Sequence, residues 1–377
     1  MTQSIPNTKT PDRTPAGSRP AAGQTKFLLQ ALACAALLAC SAIQAHAQGC
    51  VAIKQVGGGG SPLGPDDVTA GATDKWDFSL SYEHFRSDKD YTGPYYNGQR
   101  QTLGNSVINV VDQFDGSLSY DIDGRDSVSL DIPYFAATRS QLDYAKVRYK
   151  VAARGIGDIR VAANRWLVDP AKKPIANLQL GFGVSVPTGT SNAKAWVPTA
   201  NGLVQQNVDQ SIQPGQGGWG YILQGQGYRT LTDTTSLYLT GFYLATPQDV
   251  NGTRTTQTVA SDKANISVED QYQLRWGVNQ ILTHCRGGVL SGSLGGRWEG
   301  VPADDLIGRS DGFRRPGYVL SIEPGLAYSL PHDSFSLNVP IAWYRNRTQS
   351  YPDTLTGAHG DAFFADFLII AAYSHKW

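Results

Sequence analysis

Apolar and polar residues alternate with a period of two over most of the chain beyond residue 74. Between about Lys75 and Arg86, Trp76, Phe78, Leu80 and Tyr82 interleave with Asp77, Ser79, Ser81 and Glu83. Between Tyr318 and Tyr328, Leu320, Ile322, Pro324 and Leu326 fill every second position. A strand sends successive side chains to opposite faces, so this spacing gives one apolar and one polar face. The pattern predicts twelve strands, near residues 75–86, 107–122, 128–134, 157–168, 178–186, 218–229, 237–243, 271–282, 290–298, 318–328, 335–343 and the terminal segment from 367.

The links between these segments decide the architecture. After the second, fourth, sixth, eighth and tenth strands they are short, as in Asp123-Gly124-Arg125-Asp126 and 169–174. After the odd-numbered strands they are long, polar and rich in Gly, Asn, Asp and Thr, as in 87–106, 188–217, 247–270 and 300–316. Transmembrane barrels show this alternation, with short turns in the periplasm and long loops outside. A β-sandwich or a propeller has no reason to sort its links by length. The expectation is an all-β fold, a transmembrane antiparallel up-and-down β-barrel of about 12 strands. Gly93, Asn201, Asn251, Asp311 and Thr356 then lie in outward loops, and Arg125, Lys172 and His332 in periplasmic turns.

Both ends of the chain fit export. The terminal strand sets Phe367, Ile369, Ala371, Tyr373 and Trp377 on one face and finishes on an aromatic residue. It resembles the closing strand of bacterial outer-membrane barrels, which implies recognition by the barrel-assembly machinery. At the other end, Lys26, the apolar run Phe27 to Ile43 and Ala45-His46-Ala47 have the layout of a secretory signal with its cleavage site. Residues 1–47 are therefore expected to be a signal peptide directing the chain to the outer membrane of a Gram-negative bacterium. A rival reading takes Leu37-Leu38-Ala39-Cys40 as a lipoprotein box that leaves Cys40 lipidated. Residues 48–73, with Gly57-Gly58-Gly59-Gly60, show no periodicity and suit a periplasmic tail or a plug, and 74–377 form the barrel.

Composition narrows the partners. The 8 Trp, 18 Tyr and 12 Phe suit a barrel whose aromatics gather at two interfaces. Lys plus Arg and Asp plus Glu each total 32, so there is no basic field for nucleic acid. The partners expected instead are outer-membrane lipid, lipopolysaccharide and a small solute.

If the apolar face meets lipid, the other face lines the lumen. It includes Asp77, Glu83, Gln113, Asp115, Asp131, Gln179, Gln224, Gln226, Arg275, Arg297, Glu299, Glu323 and Asp366. One reading pairs Arg275 and Arg297 with Glu299, Glu323 or Asp366 simply to fill the interior. The sharper reading makes these charges a selectivity ring. Cys50 follows the cleavage site and Cys285 lies in the fourth short turn, so an oxidising periplasm permits a disulfide between them. Among the histidines after the leader, only His84 sits well inside a strand, and its register points it outward. No constellation calls for catalysis, a metal or a cofactor. Gly287-Gly288 and Gly295-Gly296 read as strand kinks.

Two segments carry a family resemblance. Gly155-Ile-Gly-Asp-Ile-Arg160 entering a strand, and Gly181-Phe-Gly-Val-Ser-Val-Pro-Thr-Gly189, are similar to segments of the outer-membrane transporter family named for meta-pathway phenol degradation. The resemblance implies a barrel that passes aromatic or other hydrophobic compounds. Asp311-Gly-Phe-Arg-Arg-Pro316 looks like a subgroup loop, in which Arg314 and Arg315 are expected either to be solvated or to meet lipopolysaccharide phosphates. The resulting expectation is a channel for a small, hydrophobic or aromatic solute. Its rivals are a non-conducting structural or surface-binding barrel and, third, a barrel-embedded lipid hydrolase.

Overall fold

Each predicted alternation becomes a strand in a computed structural model that describes residues 74–172, 174–255, 264–357 and 359–377. The strands, in chain order, are β1 (Trp76–Thr92), β2 (Ile108–Asp121), β3 (Asp126–Leu142), β4 in two halves (Arg148–Ile156 and Ile159–Trp166), β5 (Ala176–Val186) and β6 (Gly220–Thr232). They continue as β7 (Thr235–Ala245), β8 (Gln271–Cys285), β9 (Gly288–Val301), β10 (Gly317–Ser329), β11 in two halves (Asp333–Asn338 and Ile341–Asn346) and β12 (Ala362–Lys376). Neighbours in sequence pair antiparallel, and β1 pairs with β12 from Asp77↔Lys376 to Tyr91↔Ala362. The result is a closed barrel of 12 strands with almost no helix, as the alternation and link lengths implied. The signal segment, Cys40, residues 48–73 and Cys50 lie outside the described residues.

The turns at one end are short for local reasons. Arg286 and Gly287 both have positive φ, 49° and 80°, the two-residue hairpin turn that matches strand twist. Gly287 is therefore a turn residue and not a kink. Arg125, Lys172 and His332 lie in turns at this end. The opposite end carries the long links. That between β5 and β6 holds a hairpin (Lys194–Thr199 with Gly202–Asn207), and that between β7 and β8 holds Val250–Arg254 paired with Asn265–Ser267. The link before β12 holds the one-turn helix α1 (Tyr351–Thr356), capped by Ser350 in a capping box and closed by Gly357 at φ 66°.

One link departs from expectation. The connection between β3 and β4 is not a long loop: β3 runs on to Leu142 and β4 starts at Arg148. Asp143 closes the turn, its Oδ1 accepting from the Ala145 and Val147 amides at 2.8 Å. Ala136, Thr138 and Ser140 carry no apolar signal, so the alternation fades while the ladder continues from Tyr134↔Ile156 to Leu142↔Arg148. The two broken strands are explained by Gly157-Asp158 in β4 and by Pro340, which has no N–H to give the ladder, in β11.

Burial separates the two faces. Every strand turns at least one large apolar side chain outward: Leu80, Phe114, Ile132, Val161, Leu180, Leu223, Leu239, Trp276, Leu294, Ile322, Leu337 and Phe367 are all exposed. The alternate positions, such as Ser81, Glu83, Asp131 and Arg275, are buried. This inverts the soluble pattern of apolar core and polar surface.

Candidate functional site: the barrel interior

The interior is layered along its length, and the order can be followed on single strands. Toward the loops β3 presents Asp131, then Phe135 and Ala137, then Arg139, all buried. Alternate inward positions on a strand are about 7 Å apart. The lowest of these layers is charged. Arg275 pairs with Glu323, its Nε 3.3 Å from Oε2. Arg297 sits 2.7 Å from Glu299 and 3.8 Å from Glu83, with Glu323 at 4.0 Å. On the other wall Gln113 donates to Asp115 at 2.8 Å, and Arg160 lies opposite Asp131 in the ladder. Gln224 donates to Asn164 and Gln226 to Gln179, each at 2.7 Å. Buried charges need partners, and here carboxylates and guanidiniums from several strands supply them to one another.

Asp115, Asp131, Arg275, Arg297, Glu299 and Glu323 thus all face inward and are buried. Asp366 does not join Arg275 or Arg297. It is half-buried near the loop end, 3.9 Å from Lys89. On the closing strand Phe367 and Trp377 are exposed, while Ile369 and Tyr373 are half-buried, and the Tyr373 hydroxyl donates to Asp333 at 2.8 Å. Cys285 ends β8 at the short-turn end and is exposed.

Above the charged belt lies an apolar layer. Phe85, Val111, Phe135, Ala137, Ala153, Ala365, Leu368 and Ile370 line it from five strands, and Val208 and Ile212 enter it from the link between β5 and β6. Ile212 is 0% exposed, so this link folds into the barrel rather than away from it. Between the layers a void of about 10 Å³, room for about one water, is lined by Gln113, Phe135, Asp158, Arg160 and Gln216 among others.

Two sets of contacts hold the in-folded link. Past the hairpin, Asp209 accepts a two-pronged pair from Arg315, 2.8 Å at each nitrogen, and lies 3.5 Å from Arg139. Burial pushes the Asp209 carboxyl up, but Arg139 and Arg315 outweigh it and hold the group well below the usual carboxylate range. At the far side, Asp158 accepts from the Gly189 amide at 3.0 Å and the Gln216 amide at 2.7 Å. Thr188 Oγ1 donates to the Gly157 carbonyl at 2.8 Å and accepts from the Ile159 amide at 2.9 Å. Gly215 and Gly189 touch backbone to backbone, where a Cβ on either would collide. The two segments that carried the family resemblance, 155–160 and 181–189, therefore meet at the break in β4. Gly181 has its own reason: a Cβ there would strike Asn164 and displace its bond with Gln224.

Arg314 and Arg315 correct the sequence expectation. Neither is a solvated loop residue or available to lipid phosphate. Arg314 is 1% exposed, donating to Asp305 and, at 2.6 Å, to Ser267 Oγ. Asp305 in turn accepts from the Asp270 amide at 2.9 Å. The arginine pair thus joins three long links into one cap. Nothing in the sequence spacing showed this, since Asp209 and Arg315 are 106 residues apart.

His84 faces outward as its register required. Its Nδ1 lies 2.8 Å from Asp112, which also accepts from the Tyr82 hydroxyl at 2.7 Å. Its cross-strand neighbours are Asp112 and Ile369, neither of them a nucleophile for acyl transfer.

No protein-family model matches the sequence. No curated relative matches it either. Among solved structures, an outer membrane channel from Pseudomonas putida F1 aligns at 13% identity with a TM-score of 0.53, covering 86% of this chain and 100% of that one. The β domain of the Bordetella autotransporter BrkA aligns at 11% identity and TM-score 0.43, over 81% of this chain and 100% of that one. A Pseudomonas aeruginosa FadL homologue aligns at 10% identity and TM-score 0.39, over 88% of this chain and 98% of that one. The first of these likenesses supports the barrel fold.

Proposed function

We propose that the chain is an outer-membrane β-barrel channel that passes a small, hydrophobic or aromatic solute. The observation that carries this reading is the pairing of two apolar surfaces: an outward one on all twelve strands and an inner layer beneath the in-folded link. The outward one suits hydrocarbon, where a closed barrel leaves no backbone group unpaired. The inner one suits a solute that would take the place of Val208 and Ile212. The family resemblance of 155–160 and 181–189, and the channel from Pseudomonas putida among the similar folds, point the same way. Lipid surrounds the wall in this reading, and the terminal aromatic strand is read by the assembly machinery. No step in it requires catalysis or a cofactor.

A second reading, a non-conducting structural or surface-binding barrel, draws on the filling of the interior by ion pairs and by the in-folded link. Planar-bilayer recording on the purified chain separates the two. Discrete conductance steps that become longer or larger in Asp209→Asn are expected for a channel. Silence in both the wild type and this variant would leave the filled barrel. A lipid hydrolase gains little from His84, given its neighbours. Hydrolysis of lipid by the purified chain, lost in His84→Ala, would reinstate it.

A further inference from the structure

The upper half of β4, Arg148–Ile156, pairs with β3 on one side and lies against the hairpin strand Lys194–Thr199 on the other. Val151 and Ala153 on this half, and Ala193 and Ala195 beside it, pack on the inner apolar layer. Alternation therefore turns Arg148, Lys150, Arg154, Lys194 and Trp196 to the outside, where all five are exposed. Cross-strand, Leu142, Ser140 and Ala136 stand opposite Arg148, Lys150 and Arg154, and Asn207 and Gln205 opposite Lys194 and Trp196. No carboxylate occupies these facing positions, although the chain as a whole has as many acids as bases.

Arg148 is already engaged, donating to the Ser106 carbonyl at 3.1 Å and to the Gly104 carbonyl at 2.6 Å, which props the link after β1. Lys150, Arg154 and Lys194 have no ion pair or hydrogen-bond partner for their side chains among the described residues. Their height is set by the band below them. Tyr134 and Ile156 form one exposed rung, continuing Val128, Leu130 and Ile132 toward the loops. Arg154 is the next outward position, about 7 Å along the strand, and Lys150 is about 14 Å beyond that. Cations thus begin where the apolar band stops, on the same wall, with Trp196 beside them as an amphipathic anchor.

We propose that this strip binds the phosphate groups of outer-leaflet glycolipid, with Lys150, Arg154 and Lys194 as the contacting residues. A lipid is favoured over a soluble anion because the strip is continuous with the lipid-facing band, so its ligand must sit at the edge of hydrocarbon. The inference rests on the outer-membrane reading above, and it replaces Arg314 and Arg315 as the place where such phosphates meet the chain.

The test uses the full chain, refolded in vesicles of phosphatidylcholine that carry either phosphorylated lipid A or the same lipid with its phosphates removed. Bound lipid is counted by native mass spectrometry after extraction. Wild type is expected to prefer the phosphorylated form by at least about tenfold, given three cations near the anionic layer. The triple variant Lys150→Gln, Arg154→Gln, Lys194→Gln is expected to lose that preference while keeping the heat-modifiable migration of a folded barrel. Arg165→Gln, near the short turns, is expected to keep it. Equal binding of both lipids, a preference that survives in the triple variant, or equal competition by millimolar inorganic phosphate would each overturn the proposal. Failure of the wild type to insert into either vesicle would overturn the membrane reading together with it, whereas insertion without preference overturns the strip alone.

Discussion

Single side chains in this barrel earn their places by pairing, and the pairing makes definite predictions. Glu323 is 1% exposed and is shared by Arg275 and Arg297. Removing one partner of a buried pair leaves an uncompensated charge, at a cost of about 3–5 kcal/mol. Glu323→Ala is therefore expected to lower the unfolding free energy by that amount, seen as a lower guanidinium midpoint, while Arg275→Met with Glu323→Leu costs much less. Denaturation followed by tryptophan fluorescence in lipid vesicles checks both. Asp209 gives a pH prediction with a fixed sign. Its folded-state carboxyl is depressed by Arg139 and Arg315 against the opposing push of burial. A depressed carboxyl adds stability at every pH above its ordinary value, near about 3.9, and loses it as pH falls toward the depressed value. The amide-exchange protection factors of residues 208–216, taken against intrinsic rates at each pH, should stay constant from neutral pH to about 5 and fall only below about 4. In Asp209→Asn the protection should be low throughout. Loss of protection already between pH 7 and 5 would show that another group holds the link.

At the scale of elements, the link between β5 and β6 is the part whose behaviour the sequence hid. Its anchor at the β4 break consists of Asp158, Thr188 and the Gly189–Gly215 contact. Asp158→Ala leaves the Gly189 and Gln216 amides without their acceptor, and each lost bond to a carboxylate costs about 1.5–3 kcal/mol. The expected outcome is a normally folded barrel with a more open interior: longer conductance steps in planar bilayers and faster proteolysis within 187–219. Gly215→Ala should give the same result through steric conflict with Gly189 alone. A variant that unfolds the barrel outright would place Asp158 in global stability instead. The sequence marked 155–160 and 181–189 as distinctive without revealing that they touch. It also missed the outer halves of β3 and β4, because Ala136, Thr138 and Ser140 have no apolar alternation and the ladder there rests on backbone pairing.

For the whole molecule the testable claim is its orientation. Single cysteines at Gly93, Asn201, Asn251, Asp311 and Thr356 are expected to react with an impermeant thiol reagent on intact cells, in a background lacking Cys50 and Cys285. Cysteines at Arg125, Lys172 and His332 should react only after the outer membrane is breached, and the reverse pattern would invert the orientation. Cys285, exposed at the short-turn end, remains proposed as the partner of Cys50. Mass spectrometry of unreduced, exported protein that finds both thiols free would end that proposal. Strand number, antiparallel order, most link lengths and the inner or outer face of most residues were legible in the chain, because each follows from a period of two and from turn chemistry acting between neighbours; the β3–β4 link, expected long, is the exception. Leu80, Ile132 and Phe367 needed no tertiary information to be placed outward. The sequence named Glu299 and Glu323 among the partners of Arg275 and Arg297, but it did not show that Arg314 and Arg315 are buried or that 208–216 turns inward. Those outcomes depend on barrel closure bringing Asp209 to Arg315 and Asp158 to Gln216, contacts between residues 106 and 58 positions apart that no local periodicity encodes.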